Sequence, residues 1–286
     1  MSSPVSVLDR LRDPTPLVTV ELRPPRSDLG AAQTIDTWID MYHGLRRLAR
    51  GDALLFLTDN AVGQAEEENL NHLAANLAGD VPPAKVIPFL TTKHSEDYCL
   101  MYAARAAAHG FEAVTVLGGD RTVGPPRCVE HAYQLRQRIR ERQPGLVLGG
   151  WANPHKDAAE QAGYLGAETF TADFCLTQVV SHHSVGAVER FVTTLRRDGI
   201  EIPGVFGVFY YRSANPRTLA RLGEFFPVPV EGIAKDFAAG RSADEVCAQS
   251  ILALREVGVD KVYVSNLGFD RPDERYRRVM EIVDAA

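Results

Sequence analysis

The sequence has no long apolar run and no targeting segment. Its longest apolar stretches, such as AVTVLGG and LVLGGWA, are too short to cross a bilayer, which requires about 20 apolar residues. The first 16 residues lack the charged start and apolar segment of a signal peptide. We therefore expect a soluble, cytoplasmic protein without a membrane partner.

The sequence also lacks a surplus of basic residues and any CxxC pair. Its formal net charge of -6 argues against a nucleic-acid partner, because duplex binding needs clustered Lys and Arg. Four cysteines lie far apart: Cys99, Cys128, Cys175 and Cys247. They predict buried free thiols rather than a zinc site or a disulfide framework. His182 and His183 are adjacent but have no third ligand at suitable spacing, so no metal is predicted there.

What the sequence does contain is a repeated strand-helix pattern. Short β-branched runs, each followed by a longer segment with helical periodicity, predict parallel βα units. The predicted strands are 17–22, 53–58, 85–90, 113–118, 146–150, 171–178, 204–210 and 261–267. Eight such units in 286 residues, with no GxGxxG motif after the first strand, favour an α/β fold of the (βα)8 TIM-barrel type over a doubly wound sheet. We expect one domain, with about 15 residues as an N-terminal extension.

Polar and aromatic residues follow the strands at their C-terminal ends, where active sites of this fold lie. These residues are Glu21, Thr58, Asp59, Thr91, Asp120, Trp151, His155, Gln178, Tyr210, Tyr211 and Asn266. Gly118 and Gly119 precede Asp120 and would let a flat ligand lie against the backbone. The opposite ends carry ordinary solvated runs such as RLARGD and RERQPG. This asymmetry predicts a functional site at one rim of the barrel.

Several of these residues also have a purely structural interpretation. Glu21 is either a catalytic carboxylate or an interior acid paired with Arg23 or Arg26. Asp120 either contacts a ligand or caps a turn. The aromatic residues of the rim either stack on a flat ligand or only pack against each other.

Four motifs in register resemble the methylenetetrahydrofolate reductase family. They are VELRPPR at the first strand, VLGGD at the fourth, WANPH after the fifth and ADFCLTQ at the sixth. The resemblance extends from about Val18 to Leu267. It implies an oxidoreductase that reduces 5,10-methylenetetrahydrofolate to 5-methyltetrahydrofolate, with NADH or NADPH as the hydride donor and FAD as the family's cofactor.

The resemblance also implies roles for individual residues. Glu21 matches the general acid of the family, Gln178 a pterin contact, and Asp120 a group that binds the pterin and influences the flavin. The further candidates for substrate binding are Tyr210, Tyr211 and Asn266. The candidates for cofactor binding are Thr58, Asp59, Gly118, Gly119, Asp120, Trp151 and His155.

The chain departs from the family pattern where the flavin phosphates would bind. The segment between His155 and Gln178 is shorter by about one helical turn, and Ala167 stands near the position of the family's lysine. In addition, Phe89 replaces a histidine and Gly118 an arginine. Two alternatives follow: FAD binds with altered contacts, or a reduced nicotinamide or a deazaflavin transfers hydride directly to the folate.

Two other functions share the folate contacts without the reduction. One is a pterin-binding barrel of the methyltransferase type, which would not need an acid at Glu21. The other is a degenerate paralogue that binds a folate or a partner protein. The sequence leaves the oligomeric state open, including a homo-oligomer.

Overall fold

The chain folds into a closed barrel of eight parallel strands. The structure is a computed structural model that describes residues 5–51, 53–59, 66, 68–77, 79–119 and 124–286. Strands β1 to β8 are Leu17–Leu22, Leu55–Leu57, Val86–Thr91, Ala113–Leu117, Val147–Ala152, Phe174–Val180, Gly204–Phe209 and Lys261–Ser265. Each strand pairs with the next, and β8 pairs with β1. The predicted TIM barrel and all its strands are confirmed.

Helices surround this barrel in the expected order. Helices α1 to α11 are Val7–Arg12, Ala31–Ala49, Asn69–Asn76, Glu96–Ala108, Ala132–Arg142, Ala158–Leu165, Val185–Arg197, Pro216–Gly223, Val230–Ala238, Ala243–Glu256 and Pro272–Asp284. The connection from β7 to β8 carries three helices, α8, α9 and α10, whereas the repeated strand-helix pattern predicted a single helical segment there. No helix in the described part of the chain is long and apolar enough to span a membrane.

Alternation along the strands separates the helix-facing side from the barrel interior. In β1, Val18, Val20 and Leu22 belong to the buried cluster that packs against the helices. Thr19 and Glu21 are the intervening residues, and in a strand successive side chains point to opposite faces. Glu21 therefore faces the barrel interior at the C-terminal end of its strand.

Helix α1 packs against the N-terminal end of the barrel. Its Val7 and Leu11 are buried in the same cluster as the interior residues of the strands. Lys261, the first residue of β8, donates from Nζ to the carbonyl oxygens of Asp13 and Thr15 at 2.6 and 2.7 Å. Residues 7–12 of the predicted N-terminal extension thus form a helix that covers the bottom of the barrel, opposite the rim that carries the candidate site.

Tyr263 fills the barrel interior between β6, β7 and β8. Its ring is buried, and its hydroxyl donates to the carbonyl oxygen of Thr177 at 2.6 Å. The β6–β7 register shifts between Leu176 and Val179, so a bulge contains this carbonyl. A Cβ at Gly207 would lie 2.5 Å from the Tyr263 ring. The packing of this ring therefore requires glycine at position 207.

We predict that Gly207→Ala destabilises the protein by about 1–3 kcal/mol, because the added methyl group would displace a ring fixed by its hydrogen bond. Urea unfolding would measure the change. Gly163→Ala is the matched control, since Gly163 lies in helix α6 with open space around a new Cβ. That control should gain about 0.5–1 kcal/mol of stability. Equal stability of Gly207→Ala and the wild type would contradict the packing argument.

Candidate active site

The centre of the candidate site is a hydrogen bond between the C-terminal ends of β1 and β8. The register pairs Val20 with Val264, which brings Glu21 beside Ser265. The Ser265 hydroxyl donates to Glu21 Oε1 at 2.6 Å. Barrel closure therefore joins two side chains that are 244 residues apart in the sequence.

Glu21 has a strongly perturbed acidity. Burial raises the pKa of its carboxyl from 4.5 to about 7, while the hydrogen bond from Ser265 and the charge of Arg23 lower it less strongly. A carboxyl group with this pKa carries a proton about half the time at neutral pH. It can therefore both donate and accept a proton under physiological conditions.

The nearby arginines form ion pairs with other carboxylates. Arg23 Nε lies 2.8 Å from Glu66 Oε1, and Glu66 also accepts from the Thr58 hydroxyl at 2.9 Å. Arg26 pairs with Asp28. Glu21 thus has a serine hydroxyl as its partner, and not the arginine that one interpretation of the sequence proposed. Burial outweighs the effect of this hydrogen bond and keeps the pKa of Glu21 high.

Asp59 links the ends of β2 and β3. Its Oδ2 accepts from the backbone N–H of Thr91 at 2.7 Å and from the Thr91 hydroxyl at 3.0 Å. His94 Nε2 approaches the same oxygen at 2.8 Å. These contacts hold the Asp59 carboxylate against Thr91 and His94, at the ends of β2 and β3.

The two glycines after β4 leave space that the chain itself fills. A Cβ at Gly118 would lie 2.7 Å from the guanidinium carbon of Arg127, and one at Gly119 would lie 2.8 Å from Lys93 Cγ. Gly119 also has a φ of 71°, which favours glycine. In this conformation two cationic side chains occupy the position where the sequence analysis placed a flat ligand.

Gln178, Trp151 and His155 lie on β5 and β6 or directly after them. Gln178 is part of the bulge, and its Oε1 accepts from the backbone N–H of Val179 at 2.9 Å. Bulges of this kind re-aim side chains near active sites. Trp151 is 38% exposed. His155 Nε2 contacts the carbonyl oxygen of Val179 at 2.9 Å, which ties the loop after β5 to β6.

The three candidates from β7 and β8 have different environments. The Tyr210 hydroxyl donates to Asp244 Oδ1 of α10 at 2.6 Å, and its ring belongs to the cluster that faces the helices. Tyr211 is buried 5.0 Å from the Phe209 ring, on the interior side. Asn266 adopts a left-handed φ of 70° and donates to the carbonyl oxygen of Tyr210 at 3.0 Å. The packing alternative is thus favoured for Tyr210. Asp120 lies outside the described residues.

The described residues do not fit a flavin dinucleotide at helix α6. Asp157 caps the helix, accepting from the backbone N–H of Glu160 at 2.8 Å, and Glu160 adds a second carboxylate in the first turn. Carboxylates at a helix N-terminus take the place of a bound phosphate rather than attract one. The helix at which the sequence resemblance implied the flavin phosphates is therefore acidic at its start.

The sequence pattern did not indicate Ser265, His94 or the Arg23–Glu66 ion pair as parts of the site. Ser265 precedes Asn266 at a predicted strand end, so its position was a usable signal. His94 follows the third strand by three residues and could have been noted in the same way. The partner of each residue depends on the register between strands, which the sequence pattern does not specify.

Comparisons with known proteins support the fold and go no further. No protein-family model and no curated protein matches the chain. Among solved structures, an uncharacterized protein from Clostridium thermocellum that binds two copies of 5-methyl-5,6,7,8-tetrahydrofolic acid is similar, with a TM-score of 0.68 and 14% identity over 95% of this chain and 96% of that one.

Two further structures resemble the chain less closely. An F420-dependent secondary alcohol dehydrogenase, in complex with an F420-acetone adduct, has a TM-score of 0.55 and 10% identity over 94% of this chain and 99% of that one. The apo form of MsnO8 has a TM-score of 0.56 and 13% identity, with coverages of 95% and 98%. At these identities the likeness establishes a shared barrel fold.

We predict that the stability of Glu21→Gln relative to the wild type depends on pH. Folding raises the pKa of Glu21, so its proton stabilises the fold fully below pH 4.5 and this contribution is lost as pH rises through about 7. Urea unfolding would measure the difference in free energy of unfolding between the variant and the wild type. From pH 4.5 to pH 8.5 this difference should shift in favour of the variant by on the order of 1–3 kcal/mol.

The exposed Glu256→Gln serves as the control and should follow the wild type at both pH values. Ser265→Ala should move the pKa of Glu21 further upward, because it removes a hydrogen bond that stabilises the carboxylate. A carbon NMR titration of the Glu21 carboxyl would detect this. A downward shift in Ser265→Ala would contradict the assigned hydrogen bond.

Proposed function

We propose that this protein is a folate-dependent oxidoreductase of the methylenetetrahydrofolate reductase type. The observation that supports this most strongly is Glu21, an interior-facing carboxyl group at the C-terminal rim with a pKa of about 7. A group of this acidity at this position has the properties of a general acid. A barrel that only bound a folate would not need it.

In the proposed reaction Glu21 donates its proton to a ring nitrogen of 5,10-methylenetetrahydrofolate. The carbon–nitrogen bond then breaks, leaving an iminium cation at the one-carbon unit. A hydride from NADH or NADPH adds to that carbon and yields 5-methyltetrahydrofolate and the oxidised nicotinamide. Ser265 stabilises the carboxylate that remains, and solvent returns the proton in the next cycle.

Folate recognition is assigned to side chains on the same rim. Trp151 presents an exposed ring at the end of β5, suited to stacking on a planar pterin. Gln178 uses Oε1 within the bulge, which leaves its amide nitrogen to donate to a ligand. Asp120 is expected to accept from the amino and amide groups of the pterin.

The proposed hydride donor is the nicotinamide itself, transferring directly to the folate. The acidic start of α6 disfavours a resident FAD. A deazaflavin is the alternative hydride donor. It is included in the experiment because an F420-dependent dehydrogenase has a similar fold. The folate-binding barrel from Clostridium thermocellum supports the substrate class.

We predict that the purified protein oxidises NADH or NADPH anaerobically when methylenetetrahydrofolate is added without flavin. Bound flavin is quantified after denaturation, and added FAD or deazaflavin forms separate arms. Glu21→Gln should lose at least about 100-fold in turnover, because general acid catalysis contributes about 10²–10⁴-fold. Its folate affinity should remain near the wild-type value, since the substitution is nearly isosteric.

Folate binding without oxidation of NADH, NADPH or reduced deazaflavin in any arm would overturn the reductase assignment and leave a folate-binding barrel. Full turnover by Glu21→Gln would remove Glu21 from the mechanism while leaving the reaction intact.

We further predict that Trp151→Ala weakens folate binding about tenfold, a loss of about 1.4 kcal/mol from stacking. Titration with 5-methyltetrahydrofolate by calorimetry would measure this. Trp38→Ala is the matched control, because Trp38 lies in helix α2 stacked on His72. Equal weakening in both variants would point to a general loss of structure rather than to a pterin contact.

A further inference from the structure

Three ligand-type side chains converge beside the exit of β6. His182 and His183 form a short 3-10 turn after this strand, and Asp236 belongs to helix α9. Asp236 Oδ2 lies 2.9 Å from His182 Nε2 and 2.7 Å from His183 Nε2. The side chains of His182 and Asp236 are almost fully buried, whereas that of His183 is 27% exposed. The third ligand that the sequence pattern lacked is therefore 53 residues away from His183.

The hydrogen bonds of His182 support one tautomer of its ring. The Ser250 hydroxyl donates to the carbonyl oxygen of Val246 at 3.1 Å, which leaves its oxygen to accept from His182 Nδ1, 2.9 Å away. In a neutral imidazole with the proton on Nδ1, the lone pair lies on Nε2 and faces the Asp236 carboxylate. This pair of acceptors is where a metal ion would bind. Metal-binding histidines have this arrangement, with the other ring N–H held by a hydrogen bond.

The surrounding residues hold the other two ligands. Arg241 Nη1 donates to Asp236 Oδ1 at 2.6 Å, which orients Oδ2 toward the histidines. The His183 ring packs against the backbone of Gly232, where a Cβ would lie 2.6 Å from the ring. Both contacts restrict side-chain rotation, as in a preorganised site.

We propose that His182 Nε2, His183 Nε2 and Asp236 Oδ2 bind one divalent transition metal ion of the zinc type. Two imidazoles and a carboxylate are a donor set that zinc accepts, with water in the fourth position. All three ligand atoms lie within 4.8 Å of one another. Ligand atoms of a tetrahedral zinc ion stand about 3.3 Å apart, so the two contacts to Asp236 need to widen by only about 0.5 Å.

The ion links helix α9 to the turn that follows β6. Gln178 and its bulge lie in β6, and Gln178 precedes His182 by only four residues. The metal would therefore fix the insertion between β7 and α10 against the strand that carries a candidate folate contact. This role is independent of the proposed reductase activity.

The test is zinc binding by the full chain after treatment with a chelator, followed by competition against a chromophoric zinc indicator. We expect one equivalent of bound zinc and a higher melting temperature with zinc than without it. His183→Ala and Asp236→Asn should lose the bound equivalent. His43→Ala, an exposed histidine of α2, should retain it.

Ser250→Ala provides a finer test because it removes the hydrogen bond that orients His182 and keeps all three ligands. It should bind one zinc ion with about 10–100-fold lower affinity. Circular dichroism checks that each variant folds, and the His183→Ala variant decides the outcome if Asp236→Asn does not fold, because the His183 side chain is the most exposed of the three ligands. No zinc uptake by the wild type, or undiminished uptake by His183→Ala, would overturn the proposal and leave an ordinary hydrogen-bonded cluster.

Discussion

Closure of the barrel between β8 and β1 determines the chemistry of the rim. The strand register, rather than sequence proximity, places the Ser265 hydroxyl on the Glu21 carboxyl. The interior position raises the pKa of this acid, and a neutral hydroxyl opposes the shift less than a bonded arginine would. Arg23 is instead engaged by Glu66. The protonation state of Glu21 therefore depends on both the closure and this separate ion pair.

The rest of the rim is organised by contacts between neighbouring strand ends. Asp59 joins β2 to β3 through Thr91, and His155 joins the loop after β5 to β6. Such links use polar groups that a sequence analysis would assign to ligands. They also fix the loops from which a ligand site is built, so a structural role and a position at the site are compatible. The Trp151 ring is exposed, and the hydrogen bond of Gln178 within the bulge uses Oε1 and not the amide nitrogen. These two side chains are therefore the better candidates for direct contact with a ligand.

The sequence predicted the barrel because each strand is a short apolar run followed by a segment with helical periodicity. Parallel strands need crossover connections of this kind. Glu21 was identifiable from its position at the end of β1. Its partner Ser265 was not, since the register across the closure is a tertiary property. Helices α8 and α9 were missed because the pattern predicted one helix after each strand, and α10, with 14 residues, is the longest of the three that follow β7. The Asp236 contact to His182 was missed for a similar reason, because no local spacing connects a helix of the insertion with a turn after β6.

Side-chain contacts join the end of β6 to the insertion between β7 and α10. Asp236 of α9 contacts both histidines of the turn after β6, and Ser250 of α10 contacts His182 from the other side. Any displacement of α9 from β6 would break both contacts between Asp236 and the histidines. The Tyr263 hydroxyl ties the bulge that contains Gln178 to β8. The geometry of a folate contact at Gln178 would thus be set from two directions: by the barrel interior through Tyr263 and by the insertion through Asp236.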